Sequence, residues 1–305
     1  MLEIWYRIVE FVAPFEWAHY DFMKNALLAV LLLTPLLALI GTMVVNYRMA
    51  FFSDVLGHSA LTGMALGVLA GAKDPVWGMA AFMVVLAVVI SLFKETTRAA
   101  FDTVLGVFFG VVVAFGIMIL SRGGNFAKFA SYLIGDVLSV SPNQILGLLA
   151  VFWAVCFYWI FFGNALVLIA VSPVLAFSRR IPIFLIQVSF AVLLAIVVAF
   201  SVRLVGILMI NSLLVLPAAA ARNLARDVRG YTFLAVVFSL ASGVTGLLLS
   251  YFWGTSAGAT IVLAAAFLYA LSWGMTFFKV KIQKPERRSA KLADRLMAPR
   301  GKQAG

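Results

Sequence analysis

Charge is scarce in this chain. Only 11% of its 305 residues are Asp, Glu, Lys or Arg, against roughly 25% in a soluble domain. Hydrophobic residues make up 64%. Helices that are apolar on every face need a solvent that tolerates apolar surface, and lipid is that solvent, so an ordinary water-soluble globule is excluded. Cysteine is nearly absent: Cys156 stands alone inside VFWAVCFYWI. No internal disulfide can form, and a thiol in such a run reads as a small buried hydrophobe. A phosphate loop is also lacking, because the one Gly-Lys pair, Gly301-Lys302, is followed by Gln without the upstream glycine. HExxH does not occur either. The chain is therefore expected to be no enzyme and to hydrolyse no ATP. Its start, MLEIWYRIVEFVAPFEWAHYDF, lacks the basic, apolar and small-residue succession of a signal peptide. It reads as an interfacial segment over 1–23, with Trp5, Tyr6, Trp17 and Tyr20 suited to the headgroup layer.

What is present is a series of apolar runs, each near the 20 residues that a membrane crossing needs. They predict helices at 24–45, 53–71, 76–93, 102–120, 143–162, 181–200, 204–221, 231–251 and 257–278. The expected fold is an all-α integral membrane protein, a polytopic bundle of about eight or nine transmembrane helices over 24–278. Segment 123–142 is too polar to span and too apolar for a plain loop, and it reads as a short interfacial helix. Segment 163–180 reads as a loop with a short helix that another protein could grip. Residues 279–305 form a basic tail.

The net charge of +11 sits largely in that tail, which holds nine Lys and Arg. A basic segment directly after an apolar helix anchors to anionic membrane lipid and does not call for nucleic acid. One set of alternate hinges, with the tail, carries seventeen Lys and Arg, including Arg48, Lys94, Arg98, Arg179, Arg180, Arg222, Arg226 and Arg229. The opposite set carries six: Arg7, Lys24, Lys73, Arg122, Lys128 and Arg203. The positive-inside bias puts the first set in the cytoplasm and the amino terminus outside, which requires an odd helix count.

The second span, SDVLGHSALTGMALGVLAG, carries the most chemistry. Asp54, His58 and Thr62 recur every four residues and form one polar stripe. Ser59, Gly63, Gly67 and Gly71 form a stripe of small residues that lets a neighbouring helix approach closely. Ionisable groups inside a membrane are costly and mark ion paths, and a carboxylate with an imidazole one turn away can share a divalent transition metal. The same spacing fits a plainer role, with Ser53 and Asp54 capping the helix and His58 bonding a backbone carbonyl. Two ligands hold an ion weakly, which suits conduction. Asp102 reads as an N-cap and Glu95 as a solvated hinge charge. Asn211 and Ser212 place polar groups in the seventh span, where Pro217 frees a carbonyl near Leu213 and should kink the helix, as a pathway or gating element would need.

These residues resemble a family. MAFFSDVLGHSALTGMALGVLAG (49–71) resembles the second-helix signature of the permease subunits of bacterial zinc/manganese/iron ABC importers. FDTVLGVFFG (101–110), YLIGDVLSVSP (132–142), VRLVGILMINSLLVLPAAAARNLAR (202–226) and SAGATIVLAAAFLYALSW (256–273) resemble further stretches of that family in the same order. The resemblance implies a homodimer in the bacterial inner membrane, a separate cytoplasmic ATP-binding subunit and an extracytoplasmic metal-binding protein. It also implies a transported divalent metal, with no permanently bound cofactor, and it matches the family's acidic and imidazole positions to Asp54 and His58. The expected coupling loop is Ser172, Pro173, Val174, Leu175, Ala176 and on to Arg179 and Arg180. It departs from the family pattern at Val174, where an acidic residue is usual, and at Arg179 or Arg180, near an expected glycine. A permease for a metal chelate or siderophore, or an ion-coupled secondary carrier, are the other readings.

Overall fold

The computed structural model describes residues 2–12, 16–72, 74–97, 99–123 and 135–297. With no water in the bilayer core, each backbone N–H and C=O must find its partner inside the protein, and a helix achieves this within one segment. The described residues are accordingly helical, apart from short connections. In order these are α1 (Leu2–Val12), a 3₁₀ turn (Glu16–His19), α2 (Asp21–Asn46), α3 (Ala50–Leu69), α4 (Pro75–Thr96) and α5 (Phe101–Gly123). There follow α6 (Pro142–Val171), α7 (Pro173–Ser178), α8 (Ile183–Val205), α9 (Ile207–Leu224), α10 (Val228–Trp253) and α11 (Ala257–Met297).

Eight of the described helices are long and apolar enough to cross a membrane: α2–α6, α8, α10 and α11. α9 begins two residues after α8 and packs among α2, α3, α10 and α11. At 1.5 Å per residue its 18 residues cover about 27 Å. Burial separates an inner from an outer layer. In α2 and α3, 67% of the spanning window is buried, against 22% in α6 and α11. α3 is the least hydropathic of the eight and yet sits inside, which is where lipid would penalise its polar groups least.

Close approaches fix the inner helices. A Cβ on Gly78 of α4 would lie 2.6 Å from Gly67 Cα and 2.9 Å from the Gly63 carbonyl oxygen. The backbones of α3 and α4 therefore touch with no side chain between them, as small residues in membrane helices permit. Gly41 of α2 faces α9 in the same way, and its Cβ would lie 2.0 Å from the Leu214 carbonyl oxygen. Hydroxyls add cross-links: Thr62 donates to the Val112 carbonyl at 2.8 Å and Ser239 to the Thr34 carbonyl at 2.8 Å.

Several expectations are corrected. α6 runs unbroken to Val171, so 163–171 is helix and the loop is confined to the segment around α7. Gly71 takes no part in the packing stripe: at φ +78°, with nothing within 4 Å of its Cβ position, it ends α3. The Ala72 N–H there bonds the Gly67 carbonyl at 2.9 Å, the closure that favours glycine. Most of the short interfacial helix expected at 123–142 lies outside the described residues, and 135–141 are irregular backbone with a turn at 138–139. Asp102 is the second residue of α5, inside its first turn and not at its cap. Helix α11 continues through 279 to Met297, so the basic tail begins as an extension of the last membrane helix.

At the amino end, α1 docks on the start of α2. Trp5 Nε1 donates to the Lys24 carbonyl at 2.9 Å and Tyr6 to Asn25 Oδ1 at 2.8 Å. Lys24, 4% exposed, is held between Glu10 at 2.5 Å and Asp21 at 3.2 Å. Trp17 is buried, so it serves packing where the sequence suggested a headgroup anchor.

The glycine contacts are testable by size. Gly41→Ala and Gly78→Ala force backbones apart and should each destabilise by about 1–3 kcal/mol, lowering the thermal midpoint in detergent. Gly274→Ala, where nothing lies within 4 Å, should leave the midpoint unchanged or raise it, since alanine is the better helix former.

Candidate functional site

Helix α3 starts at Ala50, with Met49 at the cap position and no side-chain cap. Asp54 therefore sits beyond the first turn, and the capping role that its spacing allowed is ruled out. Ser53 turns sideways instead: its hydroxyl lies 2.7 Å from the Ala50 carbonyl oxygen and 2.6 Å from Asn211 Oδ1 of α9.

At about 100° per residue, the faces of α3 are distributed among its neighbours. Gly63 and Gly67 meet α4. Thr62 is fully buried and bonded to α5, with a Cβ on Gly116 falling 2.2 Å from its hydroxyl. Ser53 and Gly57 face α9, the latter toward Ile207 and Ile210. Asp54 and His58 occupy the remaining face, about 140–180° from the glycines. Their side chains are 32% and 27% exposed, with His58 Nε2 3.9 Å from Asp54 Oδ1. Phe109 of α5 stands edge-on to the His58 ring, centroids 5.3 Å apart.

The pair can share a proton or a cation between carboxylate and imidazole. Among the described residues no group of three or more His, Cys, Asp and Glu could hold a metal ion. A tetrahedral ion takes four ligands, of which this pair could supply two. Of the other sequence candidates, Asn211 comes next to the pair through Ser53, and Ser212 is half-buried beside it. Pro217 is buried inside α9, one turn beyond Leu213 and near the point where Gly41 admits the Leu214 carbonyl. Thr62 lies on the same stripe in sequence, but it is turned into α5.

Sequence reasoning missed Phe109 and the packing partners Gly41, Gly78 and Gly116, and it read Ser53 as a cap where it bonds toward α9. A small residue four apart from another was a usable signal within α3. The single glycine of α4 that answers it carries no pattern of its own.

The expected coupling segment is a separate surface. Ser172 caps α7, its hydroxyl accepting the Leu175 N–H at 3.4 Å, and Pro173 opens the helix. Ala176 is buried, while Val174 and Phe177 are 75% and 77% exposed. The Ile181 N–H bonds the Ala176 carbonyl at 3.1 Å across Arg180, which has φ +55°. This is the left-handed closing position that glycine usually fills, so the departure noted in the sequence falls on the residue whose backbone most favours glycine. Arg179, at φ −88°, is ordinary.

Residues 19–276 match the family model described as ABC 3 transport family. The chain is 32% identical over 258 residues to the high-affinity zinc uptake system membrane protein ZnuB of Haemophilus influenzae, covering 83% of this chain and 97% of that one. It is 28% identical to the manganese transport system membrane protein MntC of Halalkalibacterium halodurans, covering 86% and 89%. Among solved structures it resembles PsaBC from Streptococcus pneumoniae in complex with Fab, with TM-score 0.74, 25% identity and coverage of 83% and 91%. The membrane-spanning architecture and this collinear match make the chain a member of the ABC 3 transport family.

Proposed function

We propose that the chain forms a homodimeric permease in the bacterial inner membrane. It carries a divalent transition metal into the cytoplasm, with ATP hydrolysed by a separate subunit. The observation that carries this reading is the half-exposed Asp54–His58 pair, 3.9 Å apart on α3, in a chain related to membrane proteins named for zinc and manganese transport. A second copy placed across that face would contribute a second carboxylate and imidazole. Two protein ligands from each copy make the four that zinc takes, and manganese and ferrous iron accept the same donors. The pair binds transiently, since an ion held too firmly does not leave.

The surrounding residues fit this role. Seating Asp54 and His58 on a partly open face lowers the desolvation that full burial in lipid would impose. The Ser53–Asn211 contact ties α3 to α9 beside the pair, so a movement of α9 about Pro217 would alter the opening. The arginine-rich hinges and the helical tail face the cytoplasm by the positive-inside rule, and α7 is the contact for the ATP-binding subunit there. An extracytoplasmic metal-binding protein delivers the ion to the opposite side. At α7 the exposed Val174 and Phe177 offer apolar contact, with Arg179 and Arg180 supplying charge at its end.

Two experiments test this. Asp54→Ala and His58→Ala should each reduce uptake of radioactive zinc or manganese at least tenfold in a strain lacking the native transporter. Dimer and ATP-binding subunit should still co-purify. Full uptake in both variants would remove these residues from the path. Separately, Arg179→Gln combined with Arg180→Gly keeps the left-handed turn and removes both charges. It should weaken co-purification of the ATP-binding subunit several-fold, and undiminished association would count against a role for these two charges in holding it.

A further inference from the structure

We propose that the ends of α6, α9 and α10 form a binding site for one anionic phospholipid. Its phosphate is held by Arg222, Arg226 and Arg229, and an acyl chain lies in the groove between α6 and α10. Two adjoining cavities carry the inference. One, of about 330 Å³, is lined by Asn46, Val167, Arg222, Arg226, Asp227 and Tyr231 among others. The second, of about 540 Å³, is walled mainly by apolar side chains such as Trp159, Val236 and Phe233, with Arg229 at one end. Val167 and Val228 line both, so the two adjoin.

Their chemistry differs along that length. The first presents two guanidinium groups, and the second offers hydrocarbon and ring surface. A molecule that fills both needs an anion at one end and a chain at the other. The charges are available for such a ligand. Asp227 is the one carboxylate lining either cavity, and its Oδ2 accepts the Gly230 N–H at 3.2 Å as the cap of α10. Among the described residues none of the three arginines makes an ion pair within 4.0 Å. The groove faces outward, with Ile160 75% and Phe233 70% exposed on its rims. Guanidinium forks match phosphate oxygens in pairs, and basic pockets between membrane helices on the cytoplasmic side suit anionic headgroups. The site is independent of Asp54 and His58 and survives if the transport reading fails.

Trp159 is the reporter. The purified full-length chain is reconstituted in phosphatidylcholine vesicles containing either brominated-acyl phosphatidylglycerol or, at equal mole fraction, brominated phosphatidylcholine. Quenching of Trp159 is read as the difference between the parent and Trp159→Phe. The phosphatidylglycerol should reach half-maximal quenching at a mole fraction many times lower. Each of Arg222→Gln, Arg226→Gln and Arg229→Gln should narrow that gap by up to about fivefold, and the triple variant should close it. Val236→Phe, which narrows the groove, should reduce quenching by either lipid. Equal quenching by the two lipids in the parent overturns the proposal. So does the absence of quenching by both, which would mean that another protein or a second copy covers the face. Loss of the gap on adding millimolar inorganic phosphate would also overturn it, by assigning the arginines to a free anion.

Discussion

The contact on which the candidate site depends is the meeting of α3 and α4 at Gly63, Gly67 and Gly78. Because two backbones touch there without side chains, α3 has one rotation about its axis that fits. That rotation sends Asp54 and His58 to the opposite face. Lipid supplies no hydrophobic force to press membrane helices together, so association rests on van der Waals packing and interhelical hydrogen bonds. Backbone contact at glycines maximises the first of these. Thr62 with Val112, and Ser53 with Asn211, supply the second on either flank.

The same economy of polar groups runs through the bundle. Hydroxyls inside it bond carbonyls of their own or a neighbouring helix, as Thr34, Ser201 and Ser239 do, and among the described residues no buried side-chain polar atom lacks a partner. Against that background a carboxylate and an imidazole left half-exposed stand apart. They are the ionisable pair that the packing of α3 leaves uncovered. The family match also removes the ion-coupled carrier from the readings that the residues alone left open.

At the arginine-rich end the polar logic is different. The turns after α2 and α7 carry cations, and Arg48 and Arg180 there hold left-handed backbone to close a helix. Arginine does this less readily than glycine, so a strained closing turn and a charge are retained together at both sites.

The sequence by itself determined the membrane class, the helical fold, nearly every span and the one-turn spacing of Asp54 and His58, because apolar length and four-residue spacing are local properties that survive without neighbours. It misjudged the end of α6, since a Gly-Asn step in a hydrophobic run resembles a hinge when nothing shows the helix continuing. Likewise Gly71 fits the spacing of the small-residue stripe, and only its positive φ reveals that the helix is already over. Which helix each face of α3 meets was decided by tertiary structure alone. Gly41 and Asn211 lie far from their partners in sequence, Gly78 sits on the following helix, and a single glycine or asparagine carries no sign of what will pack against it. The exposure of the Asp54–His58 pair follows from those non-local contacts, and no periodicity within one helix could have set it.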